Sequence, residues 1–269
     1  MNYRHHWHAG NFADVFKHLV LVALIEHLHR KETPCLLLDT HAGQGTYDLL
    51  APPAKTTGES LNGIARLLNA AAPPPLVERY LSCFPANGHY PGSPWIMQHL
   101  LRPADRLILC EWQPDVCATL KKILPPASQI AIHHRDGWQS LKAFLPPREN
   151  RGLVLIDPPY EKADEFLTVA NTLASALARW PNGLFALWYP IKSSLPVRAL
   201  QRDLMALPRP TQLIDIRLHP GGGRQGLAGC GMAIINPPWQ LGRTLTPTLD
   251  WLCRALGPET RFQMLPAAT

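Results

Sequence analysis

The residues best suited to chemistry form the motif "DPPY" at 157–160, which directly follows an apolar run. The Asp157 carboxylate is a hydrogen-bond acceptor, and the Pro158 carbonyl is a second one whose direction the proline rings restrict. Two acceptors aimed at the N–H bonds of an adenine amine localise its nitrogen lone pair. Tyr160 can stack on the same base, a contact worth roughly 1–3 kcal/mol. We therefore predict that Asp157, Pro158 and Tyr160 catalyse alkylation of this amine.

A near copy, "NPPW" at 236–239, ends the last apolar run of the chain. The runs 212–218 and 231–236 have no helical pattern between them, so we expect an antiparallel hairpin. The second strand of this hairpin ends at the opposite edge of the sheet from Asp157. We interpret "NPPW" as a structural turn, and the stretch 221–226 as the hairpin tip, since it lacks the ending of a Walker loop.

Acidic residues stand at or just after the ends of four apolar runs: Asp39, Glu111, Asp136 and Asp157. Ligands of open parallel sheets bind at the carboxyl ends of the strands. There Glu111 is placed to bind a ribose diol, and Asp136 with the following backbone to read an adenine edge. Gly43, in the loop after Asp39, permits close approach of the backbone to a ligand. This series predicts an adenosine-containing cofactor.

The loop after the first run distinguishes two such cofactors. A dinucleotide fingerprint needs a third glycine, whereas Gly45 is followed by Thr46, Tyr47 and Asp48. S-adenosylmethionine has no pyrophosphate to cradle, and its sulfonium cation favours nearby acids. We predict S-adenosylmethionine as the cofactor.

The elements that must position these residues are short, evenly apolar runs separated in several places by helical patterns. This alternation predicts a doubly wound α/β sheet covered on both faces. With the hairpin, we expect seven strands, of which the last is antiparallel. The runs are 35–39, 106–111, 129–134, 152–157, 183–189, 212–218 and 231–236.

Two further segments complete the predicted organisation. Residues 11–30 have apolar residues at helical spacing after Asn11, a good N-cap. Residues 48–105 are too long for one crossover, and we interpret them as a small helical insertion after the first strand. The predicted domains are therefore 1–47 with 106–269, and the insertion 48–105.

The composition of the chain limits the class of protein to which it can belong. The chain has 269 residues, 46% of them hydrophobic, and a net charge of +6, which modestly favours a polyanionic partner. Its six cysteines are scattered, as expected for reduced thiols in a cytoplasmic protein. No run is long enough for a membrane span. The histidines near the N-terminus lack partners at metal-ligand spacing, so we expect no metal.

Six motifs occur in an order that closely resembles the bacterial ribosomal RNA large subunit methyltransferase J family. The resemblance implies a class I S-adenosylmethionine-dependent methyltransferase fold, Rossmann-like with a helical insertion, and methylation of N6 of one adenine in 23S rRNA. One departure is Gln44, where a small residue is expected. The motifs are "YRHHWHAGNFADVFKH" (3–18), "LDTHAGQGTY" (38–47), "YPGSP" (90–94), "IDPPY" (156–160), "ALWYP" (186–190) and "INPPW" (235–239).

The resemblance also implies roles for individual residues. Tyr3 is expected to contact the substrate, and Lys17 to line the site. Asp157 is expected to contact the cofactor as well as the target amine. The full set implied to contact S-adenosylmethionine is His18, His41, Ser93, Glu111, Asp136, Gly137 and Asp157.

We further expect a monomer that acts on protein-free 23S rRNA or an early assembly intermediate. Two alternatives stay open at this point. One is methylation of adenine in DNA or of guanine N2 in ribosomal RNA, since "DPPY" also occurs in those enzymes. The other is a non-enzymatic protein that handles external DNA.

Overall fold

The computed structural model describes residues 5–161, 165–192, 194–218 and 227–265. The strands in this part of the chain are β1 (Leu36–Asp39), β2 (Thr46–Tyr47), β3 (Tyr90–Pro91), β4 (Arg106–Glu111), β5 (Ile130–His134), β6 (Gly152–Ile156), β7 (Leu184–Ile191), β8 (Thr211–Arg217), β9 (Gly229–Ile235) and β10 (Arg261–Leu265).

The α-helices are α1 (Phe12–His29), α2 (Pro52–Thr57), α3 (Ile64–Leu68), α4 (Pro75–Leu81), α5 (Ser93–Leu100), α6 (Pro114–Ile123), α7 (Gly137–Phe144), α8 (Glu165–Arg179), α9 (Ser194–Met205) and α10 (Leu241–Leu256). Two short 3₁₀ helices, His5–Trp7 and Glu59–Asn62, lie in the N-terminal third. None of the helices described here has the length and apolar character to cross a bilayer.

The main sheet has the strand order β10-β8-β9-β7-β6-β1-β4-β5. β1, β4, β5, β6 and β7 are parallel, as the evenly apolar runs predict. Leu36 and Leu38 of β1 belong to one hydrophobic cluster and Leu37 to the other, because successive side chains point to opposite faces. The predicted α/β fold is confirmed, with helices and core on both faces of the sheet.

The antiparallel part of the sheet has one strand more than expected. β8 and β9 form the predicted hairpin, and β9 also pairs antiparallel with β7. β10 adds an eighth strand on the outer side of β8. Its residues alternate between exposed and partly buried, as at a sheet edge, so it has none of the continuous apolar signal that identifies the inner strands.

Helix α1 begins where the sequence predicts. The Asn11 side chain accepts hydrogen bonds from the backbone N–H groups of Ala13 and Asp14, both at 3.0 Å. Nearly every residue of α1 is buried, including the charged Asp14 and Lys17. A helix buried on all sides has no surface for its charged groups, so these must be paired inside the protein.

The segment 48–105 supplies α2 to α5 and the short strand β3, which pairs with β2 just before the segment. Its buried residues, such as Ile64 and Tyr80, belong to the same hydrophobic cluster as α1. The segment therefore packs on α1 through a shared core. Its boundaries as an inserted subdomain stay a prediction.

The "NPPW" turn lies at the edge of the sheet opposite to "DPPY", as predicted. Asn236 follows β9, and its side-chain amide donates to the carbonyls of Pro181 (2.9 Å) and Gly183 (2.7 Å), just before β7 begins. Asn236 has a φ of 55°, a left-handed conformation that asparagine tolerates. This asparagine closes a turn far from the strand ends that carry the acids. The predicted hairpin tip, 221–226, lies outside the described residues.

Candidate active site

A cavity of about 620 Å³ lies at the carboxyl ends of the parallel strands. Its wall also includes residues from α1 and from the N-terminal 3₁₀ helix. The predicted site residues that line it are Lys17, His18, His41, Gly43, Ser93, Glu111, Asp157 and Pro158. Four others, Asp39, Asp136, Gly137 and Tyr160, are not part of its wall. Tyr3 lies outside the described residues.

Glu111 ends β4 and connects it to the loop after β1. Its carboxylate accepts hydrogen bonds from the backbone N–H groups of Gly43 (2.9 Å) and Gln113 (2.7 Å). Burial raises the pKa of this carboxyl, and the backbone donors oppose the shift. Glu111 thus holds the glycine-containing loop against the end of its own strand.

Asp39 is fully buried beneath the cavity wall at the end of β1. The Ser93 hydroxyl donates to its carboxylate at 2.6 Å, and the backbone N–H of His41 donates at 3.1 Å. Burial is the main cause that raises the pKa of Asp39 to about 7. Through these two hydrogen bonds, Asp39 holds Ser93 and His41, which line the cavity, in place.

Asp136 and Gly137 begin α7 beside the loop after β1. The Asp136 carboxylate caps the helix by accepting from the backbone N–H of Gln139 at 2.9 Å. A Cβ on residue 137 would overlap the Thr40 carbonyl and lie 2.7 Å from the His41 ring. Glycine is therefore required for α7 to approach the loop this closely. Burial lowers the pKa of His41 to about 4, which keeps its ring neutral.

A buried ammonium group joins α1 to the end of β6. Lys17 Nζ donates to Asp14 Oδ1 at 3.0 Å and also donates to Asp157 Oδ2. The Lys17 side chain is only 6% exposed. Burial by itself lowers the pKa of Lys17, but Asp157 and Asp14 together raise it well above its ordinary value.

Asp14 is the functional candidate that sequence reasoning missed. It also accepts from the backbone N–H of Gly10 at 2.9 Å and lies 3.1 Å from the Nε2 atom of His5. Burial alone raises the pKa of Asp14, but His5 and Lys17 hold it well below its usual range. The signal was present in the sequence as two opposite charges three residues apart in the mostly apolar first half of α1.

The position of Tyr160 corrects the prediction that it forms an open stacking surface. Its φ of 50° directs the side chain away from the cavity into the core, and it is only 8% exposed. The hydroxyl donates to the Trp188 carbonyl at 2.9 Å, and the ring centroid lies 4.7 Å from that of Phe166. Tyr160 therefore supports the Asp-Pro-Pro turn from below, while Trp188 lines the cavity.

One group of potential metal ligands occurs among the described residues, and it lies at the other edge of the sheet. His29, Cys35 and Asp105 have their ligand atoms within 4.8 Å of one another. Arg102, however, already donates to both oxygens of Asp105 at 2.7 and 2.8 Å. This carboxylate is occupied by a guanidinium, and the group forms no part of the cavity.

The fold and the site define the class of protein. Parallel strands end in acids around one cavity, and an antiparallel strand lies beside β7. This is the arrangement of the class I S-adenosylmethionine-dependent methyltransferases. A family model described as "Ribosomal RNA large subunit methyltransferase D, RlmJ" matches residues 32–265, and the chain belongs to this family.

Individual relatives agree with this assignment. Ribosomal RNA large subunit methyltransferase J of Escherichia coli (strain K12) is 40% identical over 265 residues, covering 96% of this chain and 95% of that protein. The protein of the same name from Haemophilus influenzae is 36% identical over 267 residues, with the same coverage. The crystal structure of protein LPL1258 from Legionella pneumophila is similar with a TM-score of 0.91 and 33% identity, covering 97% of this chain and 99% of that one.

The buried Asp39 predicts a pH-dependent loss of stability. Because its folded-state pKa of about 7 exceeds its ordinary value of 3.8, the folded protein keeps a proton that the unfolded chain releases. The free energy of unfolding contributed by this group therefore falls as the pH rises from about 4 to about 7. Asp39→Asn removes this loss and keeps an oxygen that can accept from Ser93.

Urea unfolding at about pH 5 and about pH 8 checks this expectation. The stability of Asp39→Asn relative to the parent should increase between these two values by roughly 3 kcal/mol, since each pKa unit corresponds to about 1.4 kcal/mol. A stability difference that is the same at both pH values would contradict the assignment of a raised pKa to Asp39.

Proposed function

We propose that this chain transfers a methyl group from S-adenosylmethionine to N6 of an adenine in 23S rRNA of the large ribosomal subunit. The observation that carries the proposal is the position of Asp157. It follows β6, lines the cavity with Pro158 and is paired with the buried Lys17. Membership of the family and the names of the two bacterial relatives support ribosomal RNA as the substrate.

The Asp-Pro-Pro turn supplies the acceptors for the target amine. Lys17 binds Oδ2 of Asp157, and Oδ1 has no hydrogen-bond partner within the described part of the chain. Oδ1 and the Pro158 carbonyl can then accept the two amine hydrogens, which localises the lone pair of the nitrogen. Transfer of the methyl group from the sulfonium to this nitrogen would leave a neutral thioether and a cationic nitrogen, and Asp157 would accept the proton that the nitrogen releases.

Lys17 positions Asp157 for this role. Its ammonium restrains one oxygen of the carboxylate, and Asp14 in turn holds the ammonium from the side of α1. A positioned group of this kind is effective because the acceptor needs no reorganisation when charge develops.

The cavity fits S-adenosylmethionine in size and in charge. Its volume of about 620 Å³ lies within the roughly 300–1,000 Å³ of small-molecule sites, and its carboxylates complement a sulfonium cation. When bound, the cofactor supplies an electrophilic methyl group. Glu111 lines the cavity and would hold the ribose hydroxyls. Asp136 and the Gly137 backbone, which lie outside the cavity wall, stay predicted contacts of the adenine edge.

The amino-acid end of the cofactor would lie among residues from three segments. His18, His41 and Ser93 offer polar groups to the cavity, and the Gly43 loop permits close approach. Asp39 acts from beneath by fixing Ser93 through the 2.6 Å hydrogen bond. The buried, neutral His41 adds no positive charge that would oppose the sulfonium.

The RNA enters on the side of the N-terminal segment. Residues His5–Trp7 form a 3₁₀ helix whose histidines line the cavity, and Lys192 adds a positive charge to the wall. Tyr3, outside the described residues, stays a predicted substrate contact. The target adenine has to be unpaired or flipped, which costs a few kcal/mol in a duplex. Trp188 rather than Tyr160 offers an aromatic surface in the cavity.

We expect a cytoplasmic monomer that acts on RNA before the subunit is fully assembled.

A transfer assay with three nucleic acids tests the substrate. Protein-free 23S rRNA, 16S rRNA and duplex DNA are each incubated with radiolabelled S-adenosylmethionine, and products are digested and identified by mass spectrometry. We expect N6-methyladenine in 23S rRNA alone. Methylguanine in 16S rRNA or methyladenine in DNA would replace the proposed substrate by one of the alternatives.

Substitution of Asp157 tests the catalytic assignment. Asp157→Ala should lower the single-turnover transfer rate at least about 100-fold, since positioned proton acceptors contribute roughly 10²–10⁴-fold. The variant should keep its fold, because Lys17 stays paired with Asp14. Circular dichroism and thermal unfolding check the fold.

The second motif provides a matched control. Asn236→Gly removes the polar side chain at the corresponding position of the "NPPW" turn, and glycine suits the left-handed φ of that residue. This variant should methylate 23S rRNA at the parental rate. Retained transfer by Asp157→Ala, or equal losses in both variants, would refute the role of Asp157.

A further inference from the structure

Three fully buried side chains form a hydrogen-bonded row that ends at the cavity. The hydroxyl of Tyr80, in α4, lies 3.0 Å from the hydroxyl of Tyr90, in β3. The Tyr90 hydroxyl lies 2.9 Å from Nδ1 of His18, in α1. Both tyrosines have no exposed surface, and His18 is 1% exposed while it lines the cavity. The row therefore connects the predicted insertion with a candidate cofactor residue.

The number of hydrogens available in the row determines which group donates in each hydrogen bond. If Tyr80 donates to Tyr90 and Tyr90 donates to His18 Nδ1, both hydroxyl hydrogens are used. If instead Nδ1 carries the hydrogen and donates to Tyr90, three hydrogens share two contacts, and the hydroxyl hydrogen of either Tyr80 or Tyr90 has no partner among the described residues. An unsatisfied buried donor costs roughly 1–3 kcal/mol. The first direction is therefore favoured.

The favoured direction fixes the tautomer of His18. Burial, and then the charge of Lys17, hold the pKa of His18 well below its ordinary value, so the ring is neutral. A neutral imidazole that accepts at Nδ1 must carry its hydrogen on Nε2. That hydrogen has no partner in the described part of the chain and is free to meet a ligand in the cavity.

We propose that Tyr90, supported by Tyr80, is a positioning residue that holds His18 as the Nε2–H tautomer, which donates to the carboxylate of S-adenosylmethionine. This inference rests on the proposed function for the identity of the ligand. Because the hydrogen is already on Nε2, binding of an anionic group requires no free energy to change the tautomer. The neutral ring also adds no second positive charge near the sulfonium.

The segment that contains Tyr90 is also hydrogen-bonded to two other parts of the site. The backbone N–H of Gly92 donates to the Gly45 carbonyl at 2.7 Å, and Ser93 donates to Asp39 at 2.6 Å. A Cβ on residue 92 would lie only 2.9 Å from the Gly45 carbonyl oxygen, so glycine is needed there. The motif "YPGS" at 90–93 thus makes three hydrogen-bonded contacts, to His18, Gly45 and Asp39.

Nuclear magnetic resonance of the ligand-free protein tests the tautomer directly. In protein labelled with ¹⁵N at histidine, two-bond ¹H–¹⁵N correlations distinguish protonated from unprotonated ring nitrogens, and His18→Gln assigns the signals. We expect a protonated Nε2 and an unprotonated Nδ1 in the parent at neutral pH. Tyr90→Phe should convert this signature to a mixture of tautomers, while Tyr80→Phe should give a smaller change.

Calorimetric titration with S-adenosylmethionine tests the consequence. Tyr90→Phe should weaken binding roughly 3- to 10-fold, the range expected for one neutral hydrogen bond. Tyr189→Phe is the matched control, because Tyr189 is another buried tyrosine, whose hydroxyl donates to Asp215 at 2.6 Å. It should lower stability without changing the His18 signals.

Two results would overturn the inference. One is a His18 that is protonated at Nδ1 in the parent, and the other is unchanged affinity for S-adenosylmethionine in a folded Tyr90→Phe variant. The tautomer measurement needs neither RNA nor methyl transfer. A chain that methylated no RNA would therefore refute the proposed function, while the tautomer result would still decide the role of Tyr90.

Discussion

The ammonium group of Lys17, held between Asp14 and Asp157, is the interaction on which the rest of the site depends. It lies inside a helix that is buried on all sides, where an unpaired charge would cost several kcal/mol. The pairing with Asp14 keeps the charge within α1, and the pairing with Asp157 ties α1 to the end of β6. Removal of the shared lysine would leave buried carboxylates without their common cation, a loss that typically costs about 3–5 kcal/mol, so the three side chains form one unit.

The position of Asp157 in the sheet determines the chemical role of these three side chains. The parallel strands bring Asp39, Glu111 and Asp157 to one edge, where the cavity lies. The "NPPW" turn has almost the same sequence as "DPPY", yet β9 runs in the opposite direction and delivers Asn236 to the far edge. Two similar motifs therefore have different roles: "NPPW" closes a turn at one edge of the sheet, and "DPPY" contributes to the cavity at the other.

Much of this arrangement was predictable because its signals are local. Even apolar runs identify the inner strands, Asn11 identifies the start of α1, and the glycine-rich gap identifies the β8–β9 hairpin. β10 was missed because an edge strand has no continuous apolar run. Its paired residues in β8 precede it by 44 positions (Arg217 with Arg261) to 52 positions (Leu213 with Leu265), and such distant pairing leaves no local pattern in the sequence.

Other features depend on contacts between distant segments. The left-handed φ of Tyr160 turns an expected stacking ring into a support for the turn, and no residue type in "DPPY" indicates that conformation. The roles of Asp14 and Tyr90 likewise appear only when α1 meets β6 and β3. Spacing within one segment identified the elements, whereas the fold determined which polar groups meet.

A double-mutant cycle on Lys17 and Asp157 tests the central claim that the lysine acts through the aspartate. Single-turnover methyl transfer to 23S rRNA is measured at saturating S-adenosylmethionine for the parent, Lys17→Met, Asp157→Ala and the double variant. If Lys17 positions Asp157, the double variant should lose no more activity than Asp157→Ala alone, about 100-fold or more. Losses that multiply, so that the double variant falls by the product of the two single effects, would contradict the account.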